Sequence, residues 1–410
     1  MSQKSVAIIV CVCTVLVVAA VSVSFTLTLL DKNGAFALMD DTQGAYLGDY
    51  ERLDEVYRLV MNEYYVDVDP DKLMQGAIDG MLASLDDPYT FYYTPEILEQ
   101  NTARQTGEYK GIGVQVAIFD DSYLYVTRVF ENGPAWDAGL QIGDILLAAD
   151  GLELRAANSD ELSDAVANIQ GEEGTFVNMT VKRGDSEFEI PLERRAVIQN
   201  RVEYQMLDND VLLISLYEFY GSAADEFETA LNYAVDNGAK AVIVDVRANP
   251  GGQLDICLRI CDMLLPEGVI VYTQDRWEDR QYYYSDAEYY DLPLAVLVNG
   301  ASASASELFS AAIQDYSRGT IVGTTTYGKG IVQSCHTFLS GDAGMQLTTS
   351  AYYAPSGRSI HKVGVEPDIV VESGVNGIEN YLLATKTDSD PQLKAAYDAV
   401  IGVIGETDDE

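Results

Sequence analysis

Residues 294–314, LAVLVNGASASASELFSAAIQ, join a short apolar run to a helical pattern through a turn of small residues. The run Leu294 to Val298 is typical of a buried strand, and apolar residues recur at helical spacing from about Ser304 to Gln314. A serine at such a turn lies beside exposed amides and the positive end of a helix dipole, which suits a nucleophile. A helix cap in a small-residue turn explains the same serine equally well, so this segment alone leaves both interpretations open.

The alternation of strand and helix extends on both sides of this segment. Apolar runs VLLISL, AVIVDV, GVIVYT and TIVG alternate with helical patterns across Ala224 to Val235 and Leu254 to Leu264. Such alternation predicts an α/β layered core with at least partly parallel strands, which we place at residues 196–385. Residues 386–410 follow as a polar linker, a short amphipathic helix and an acidic end.

Two further loops of this core contain unusual residues. Asn249-Pro250-Gly251-Gly252 follows a predicted strand, and its glycines free the backbone to aim amides at a ligand or an oxyanion. In Tyr327-Gly328-Lys329-Gly330, burial of the amine would lower the pKa of the lysine and make it a usable general base. A solvated or phosphate-gripping lysine is the alternative, although a P-loop is excluded because G-x-x-x-x-G-K-[ST] does not occur.

Residues 107–195 have a different sequence pattern, in which short runs rich in β-branched residues are separated by glycine. This pattern predicts a strand-rich module of roughly 90 residues. The pattern Gly-Pro-Ala-x-x-Ala-Gly-Leu-x-x-Gly-Asp over Gly133 to Asp144, followed by Ile-Leu-Leu, resembles a PDZ domain of the bacterial, protease-associated kind. That resemblance implies a carboxylate-binding loop at Gly111, Ile112, Gly113 and Val114. A PDZ domain adds an extended peptide as a strand, and its loop amides take the terminal carboxylate.

The charge of the chain restricts its partners. Its 25 Lys+Arg against 65 Asp+Glu give a formal net charge of -40, which leaves no basic patch for phosphates and argues against nucleic acid. The same field repels a peptide carboxylate, so we expect capture by local amides and by burial of an apolar C-terminal side chain. Two histidines, without HExxH or paired CxxC motifs, offer no visible zinc ligands, and neither a metal nor a cofactor is expected.

The amino-terminal run from Val6 to Leu30 contains no charged residue. A helix of this length measures about 37 Å, more than the roughly 30 Å of a bilayer hydrocarbon core. Lys4 before the run and Asp31 after it favour an amino end in the cytoplasm and a body on the extracytoplasmic side. A signal peptide cleaved after Ala35-Phe36-Ala37 is the alternative, but the length of the run favours an uncleaved single-pass anchor within residues 1–37.

An N-terminal helical domain is predicted over residues 38–106. Between Asp49 and Ser84 apolar residues recur at three- and four-residue spacing, which predicts two amphipathic helices.

Farther along the chain, Cys257 and Cys261 lie four apart on a predicted helix. Two small buried residues are favoured over a bridge there, because with Cys335 the body has an odd number of cysteines.

Taken together, the three core loops resemble the catalytic segments of the C-terminal processing peptidases, also called tail-specific proteases, a family of serine peptidases with a Ser/Lys dyad. The resemblance runs in order through GMLASLDDPYT, the PDZ-like module, DVRANPGG, VNGASASASE and YGKGIVQ. It implies a nucleophile at Ser304, a general base at Lys329 and an amine-orienting side chain at Gln333. It further implies an oxyanion hole from the amides of Gly251 or Gly252 and of Ala305, and support of the dyad by Glu307 and Asp315.

The implied fold is a multidomain α/β protein with a crotonase- and Clp-protease-like layered core, and the implied assembly is a homodimer. The implied reaction is acyl transfer through an acyl-enzyme, with hydrolysis near the C-termini of secreted or misfolded proteins. Within the same class, a Ser/His/Asp triad using His336 or His361 is the alternative. Outside it stand a PDZ scaffold with a vestigial peptidase domain and a tethered crotonase-like binder of thioesters, and hydrolysis distinguishes these from a peptidase.

Overall fold

The computed structural model describes residues 43–95, 97–98, 101, 108–119, 121–338, 341, 343–374 and 389–408. The chain divides into two compact units, Met1–Ser84 and Leu85–Glu410. The predicted anchor lies outside the described residues. Among the helices within these ranges, none combines the length and the apolar character needed to cross a bilayer.

The described part of the first unit consists of α1 (Gln43–Glu63) and α2 (Pro70–Ala83), which confirms the two predicted helices. Asp69 caps α2 by accepting hydrogen bonds from the amides of Asp71 and Lys72. Pro70 occupies the first turn, where a missing N–H costs nothing. The predicted helical domain extended to residue 106, whereas the compact division falls at Ser84, because the chain after it pairs with the second unit.

The second unit begins with a strand of the core and continues into the PDZ-like module. Its elements in chain order are β1 (Phe91–Tyr93), β2 (Glu108–Gly111), β3 (Val114–Ile118), β4 (Leu124–Val129), α3 (Pro134–Asp137), β5 (Ile145–Ala149), β6 (Leu152–Glu153), α4 (Ser159–Ile169), β7 (Phe176–Arg183), β8 (Ser186–Glu193) and β9 (Arg195–Ile198). One antiparallel sheet runs β3-β4-β5-β7-β8, and β6 pairs with β5. Alternate residues such as Val177, Met179 and Val181 are fully buried in the core of this module.

The remaining elements form the layered core. In chain order they are β10 (Val202–Leu207), β11 (Val211–Leu216), α5 (Ala223–Asp236), β12 (Ala241–Asp245), α6 (Leu254–Asp262), β13 (Gly268–Asp275), β14 (Arg280–Ser285), β15 (Leu294–Val298), α7 (Ala305–Asp315), β16 (Thr320–Gly323), β17 (Ile331–Thr337), β18 (Gly344–Tyr353), β19 (Ile369–Val370) and α8 (Pro391–Asp408). The first sheet has the order β10-β11-β12-β15-β16-β19 and is parallel from β11 onward, which confirms the predicted partly parallel core. A second, antiparallel sheet has the order β1-β18-β13-β14, and β17 pairs with β18.

Both faces of the parallel sheet are covered, which explains why its strands are apolar throughout. In β15, Val296 and Val298 pack with helices α5 to α7 and with the inner side of the second sheet. Ala295 and Leu297 point the other way and pack against α8. We predicted a short helix near the C-terminus; α8 has 18 residues, because its apolar side extends across this sheet.

A buried ion-pair cluster ties the start of α8 to the end of β12. Arg247 pairs with Asp245 at 2.6 Å and with Asp390 at 2.7 Å, and all three side chains are almost fully buried. Because a buried guanidinium needs its partners, this cluster specifies where α8 docks. On the opposite face of the sheet, Cys257 and Cys261 are buried free thiols in α6, which confirms the prediction that they are not bridged.

Candidate active site

Ser304 lies in the sharp turn between β15 and α7, at the place where the sequence predicts a nucleophile or a helix cap. Its backbone has φ 56° and ψ -114°, a conformation that residues with a side chain rarely adopt. Backbone strain of this kind is typical of serines presented at strand-to-helix turns. The turn is held in this shape by the loop before α6, because the amide of Ala303 donates to the carbonyl oxygen of Asn249 at 3.0 Å.

The three serines of the turn differ in what their hydroxyl groups do. Ser302 is fully buried and donates to the carbonyl oxygen of Val246 at 2.7 Å. Ser306 is also fully buried and donates to the carbonyl oxygen of Asn249 at 2.9 Å. Ser304 is half-buried, and its side chain accepts from the amide of Glu307 in a capping box, but its hydroxyl donates no hydrogen bond within the described residues. Of the three hydroxyl groups, that of Ser304 alone keeps its proton available to a base.

The carboxylate of Glu307 joins this turn to the lysine loop. It is fully buried and accepts four hydrogen bonds, so its charge is fully satisfied. One oxygen accepts from the amides of Ser304 at 2.9 Å and Lys329 at 2.8 Å. The other accepts from the amide of Gly328 and the hydroxyl of Thr326, both at 2.6 Å. The backbones of Ser304 and Lys329 are therefore fixed relative to each other through one side chain.

Lys329, whose backbone amide bonds to Glu307, is half-buried. Nζ lies 4.3 Å from the centroid of the Tyr89 ring. Burial lowers the pKa of Lys329, while the carboxylates of Asp87 and Glu307 oppose this change. Within the described residues no hydrogen bond joins Nζ to the hydroxyl of Ser304. The structure thus brings the two backbones together and leaves the amine on an aromatic ring.

The glycines of the loop at residues 249–252 lie directly against the nucleophile turn. Gly251 has φ 100°, and a Cβ there would lie 2.9 Å from Cβ of Ser304, so only glycine fits. The amide of Gly251 is already donated to Oδ1 of Asn249 at 2.8 Å. The amides of Gly252 and Ala305 donate no hydrogen bond within the part of the chain that is described. Of the predicted oxyanion groups, these two are available to a developing negative charge.

Two predicted residues, Gln333 and Asp315, form no hydrogen bond or ion pair with the amine of Lys329 in the described ranges. Gln333 in β17 directs Nε2 at the hydroxyl of Thr348, 3.3 Å away, and makes no hydrogen bond to Lys329 among the described residues. Asp315 stands at the other end of α7 from Ser304, about 16 Å along the helix axis. It accepts from the amide of Ser356 at 2.9 Å and pairs with Arg358 at 2.9 Å, so it supports the loop after β18.

The alternative with a histidine base gains no support from the geometry. His336 is exposed on β17. The backbone of His361 packs against Gly330, and its Nδ1 has no hydrogen-bond partner among the described residues. Neither imidazole forms a hydrogen bond with Ser304 in these ranges.

Two buried side chains to which the sequence assigned no role complete the arrangement. The hydroxyl of Tyr352 in β18 lies 2.8 Å from the carbonyl oxygen of Ser304 and also within hydrogen-bond distance of the carbonyl oxygen of Lys329. Burial raises the pKa of Tyr352 well above its ordinary value, so the hydroxyl stays protonated and donates. Asn249 is fully buried and joins its loop to β11 by donating to the carbonyl oxygen of Leu216 at 2.8 Å.

Tyr352→Phe is expected to lower kcat by about tenfold, since one buried hydrogen bond that aligns two backbones is lost while the ring is kept. Tyr353→Phe is the matched control, because Tyr353 is the next residue of the same strand and its ring stacks on Tyr272 away from the turn. Steady-state kinetics of both variants would check this. Equal kinetics for the two variants would show that the Tyr352 hydroxyl does not align the site.

The predicted peptide-binding loop lies at the edge of the PDZ-like sheet. Residues 111–114 are all buried, and the carbonyl oxygen of Ile112 accepts from the amide of Ala135 at 2.8 Å. Gly113 has φ 81°, and a Cβ there would lie 3.2 Å from Cα of Gly133, which explains the glycine. Within the described residues β3 pairs with β4 on one side only, so its other side can accept an added strand.

Comparison with known proteins agrees with this geometry. Residues 210–371 match the peptidase family S41, residues 125–183 match a PDZ domain, and residues 18–97 match the N-terminal domain of the activating protease CtpB. A probable CtpA-like serine protease of Staphylococcus aureus (strain COL) is 31% identical over 351 residues, which are 84% of this chain and 70% of that protein.

Solved structures show the same architecture. A photosystem II D1 C-terminal processing protease aligns with a TM-score of 0.52 and 25% identity over 83% of this chain and 97% of its own. A putative S41 protease from Bacteroides fragilis aligns with a TM-score of 0.58 and 16% identity over 85% of this chain and 97% of its own, a likeness of fold alone. The chain therefore belongs to peptidase family S41 and is a serine peptidase of the C-terminal processing type.

Proposed function

We propose that this serine peptidase is a membrane-anchored, exported endopeptidase that cuts proteins near their C-termini, with Ser304 as nucleophile and Lys329 as general base. The observation that carries the proposal is the pairing made by Glu307. A strained serine whose hydroxyl proton is not donated and a partly desolvated lysine are held by their backbone amides on one buried carboxylate.

The chemistry follows from the groups at this site. The neutral amine of Lys329 takes the proton of Ser304, and the oxygen forms a bond to the scissile carbonyl carbon. The amides of Gly252 and Ala305 hold the oxyanion. When the carbon–nitrogen bond breaks, the ammonium of Lys329 gives its proton to the leaving amine of the substrate. The neutral amine of Lys329 then takes a proton from the water that hydrolyses the ester, and returns it to Ser304. Gln333 is proposed to orient the amine once Nζ has turned toward Ser304.

Substrate capture is assigned to the PDZ module. The loop at residues 111–114 offers amides to a terminal carboxylate, and the free edge of β3 offers a strand partner. Because the chain carries a formal net charge of -40, long-range attraction of that carboxylate is excluded. Substrates with apolar C-terminal side chains are therefore favoured, since burial of such a side chain compensates for the repulsion.

The remaining parts of the proposal concern location and assembly. The uncharged run from Val6 to Leu30 is proposed to hold the protein in the membrane with its body on the extracytoplasmic side.

The N-terminal helices and the C-terminal segment are proposed to form a homodimer. Both helices of the first unit leave apolar side chains exposed, among them Leu53, Val56 and Met81, which a partner would cover. The core is proposed to share the layering of the crotonase and Clp-protease folds.

Hydrolysis by the purified full chain in detergent tests the function. An unstructured protein that ends in apolar residues is expected to be cut near its C-terminus. Amidation of that C-terminus is expected to lower kcat/KM by about tenfold or more, because hydrogen bonds to a charged carboxylate are lost. Binding without hydrolysis would instead support a scaffold, and equal rates for acid and amide would remove the PDZ module from substrate capture.

A further inference from the structure

The chain segment Asp87–Thr90 reaches the lysine from far away in the sequence. Within the segment, the carboxylate of Asp87 accepts from the amide of Tyr89 at 3.0 Å and from the hydroxyl of Thr90 at 2.7 Å, which makes a tight turn. The side chain of Gln346 donates to the carbonyl oxygen of Tyr89 at 3.0 Å, and the amide of Thr348 donates to the hydroxyl of Thr90 at 3.0 Å. The turn is therefore fixed on β18, and the Tyr89 ring has a defined place.

The ring of Tyr89 lies over the amine of Lys329. The distance of 4.3 Å from Nζ to the ring centroid is that of a cation–π contact. The hydroxyl of Tyr89 donates to the hydroxyl of Tyr327 at 3.4 Å, and this contact together with burial raises the pKa of Tyr89 to about 12. The ring is consequently neutral wherever the lysine titrates, and its face attracts an ammonium but not a neutral amine.

Other groups that can carry charge lie on the elements packed against Lys329 and its loop. They are Asp87 from the same turn as Tyr89, Glu307 from α7, Tyr327 from the lysine loop, Tyr352 from β18, and His361 and Lys362 from the loop that packs against Gly328 and Gly330. Glu307 has all four of its hydrogen bonds taken by other donors, and the hydroxyl of Tyr352 bonds to a backbone carbonyl. The aromatic face is thus the group that Nζ itself contacts.

We propose, on the basis of the Ser/Lys function above, that Tyr89 is a positioning residue whose ring holds the protonated amine of Lys329 away from Ser304. A protonated lysine rests on the ring, where it cannot accept the serine proton. Loss of the proton removes the attraction, and the neutral amine is then free to turn toward the hydroxyl. The ring couples the protonation state of the base to its position.

The proposal predicts the direction in which the pH profile of kcat/KM moves when the Tyr89 ring is replaced. Because the ring stabilises the ammonium, its removal lowers the pKa of Lys329, and the acid limb of kcat/KM moves to lower pH. Tyr89→Leu is expected to shift this limb downward by about one pH unit. Tyr89→Phe keeps the face of the ring and is expected to keep the wild-type limb. Tyr89→Trp presents a stronger aromatic face and is expected to shift the limb upward.

The experiment measures pH profiles of the full chain and, separately, the pKa of the amine by NMR of labelled lysine. The NMR titration uses the Ser304→Ala background, so it does not depend on activity, and Lys329→Met identifies the resonance among the ten lysines of the chain. Tyr92→Leu is the matched control, because Tyr92 belongs to the adjacent strand and its ring contacts Phe338 instead of the lysine. This control is expected to leave the pKa of Lys329 in place.

The outcomes separate the two proposals. An unchanged pKa of Lys329 in both the Leu and the Trp variant would overturn the role of Tyr89, as would equal shifts in the Phe and Leu variants. If the Leu variant does not fold, the upward shift in the Trp variant still decides the question. A pKa that follows the expected order in a protein that hydrolyses nothing would support the role of Tyr89 and overturn the peptidase mechanism.

Discussion

Replacing Lys329 with alanine is expected to lower kcat/KM by about 10³-fold or more, and replacing Ser304 with alanine is expected to do the same. Either change removes one of the two groups between which the proton moves, so neither remaining group can act alone. The double variant is expected to be no slower than the single variants, because residues that act as a unit are not additive. Steady-state hydrolysis of one unstructured substrate by all three variants measures this.

Two further variants sharpen the result. Lys329→Arg keeps a positive charge at the same place, but a guanidinium does not lose its proton, so no activity is expected to return. His336→Ala removes an exposed histidine of β17 and is expected to leave the rate as it is. All variants are expected to bind a peptide with an apolar C-terminus, since the loop at residues 111–114 belongs to a separate sheet. Full turnover by Lys329→Ala, or its loss in His336→Ala, would contradict the assigned base.

Replacing Glu307 with leucine is expected to lower the free energy of unfolding by about 3 kcal/mol and kcat by more than about 100-fold. The carboxylate satisfies four buried donors, and an apolar side chain of similar size would leave all four without a partner. The amides of Ser304 and Lys329 would then no longer be held at one point. Chemical denaturation and steady-state kinetics measure the two effects.

Ser310→Ala is the matched control for Glu307. Ser310 is fully buried in the same helix, but its hydroxyl bonds within that helix, to the carbonyl oxygen of Ser306 at 2.7 Å. We expect a loss of stability of about 1 kcal/mol or less and an unchanged kcat. A Glu307→Leu variant that is destabilised but fully active at low temperature would show that the carboxylate supports the fold without aligning the two residues.

The turn between β15 and α7 could be predicted from sequence because its signals are local. A short apolar strand, a run of small residues and a helical pattern stand next to one another in the chain, and the elements form at that place. The α/β alternation on both sides was predictable for the same reason. The hairpin of β17 and β18 gave a weaker signal, since most of its residues are half-exposed and neither alternation nor an apolar run stands out.

The contacts that complete the site could not be predicted because they join distant parts of the chain. The hydroxyl of Tyr352 meets the carbonyl of a residue 48 positions away, and Tyr89 meets Tyr327 across 238 positions. Nothing in the local pattern distinguishes Tyr352 from Tyr353, although one is buried in the site and the other stacks on its neighbour. The resemblance placed LDDPYT at the end of a helix, but only the fold shows that it rests on β18 beside the amine.

The ion pairs of Arg247 have a consequence for the order in which the protein matures. Arg247 lies two positions before Asn249, and its partner Asp390 is synthesised long after that loop. On a ribosome, the nascent polypeptide would contain the nucleophile turn and the lysine loop before the residue that anchors α8 had been translated. The last helix of the core, α8, can therefore dock against the parallel sheet only when translation is nearly complete.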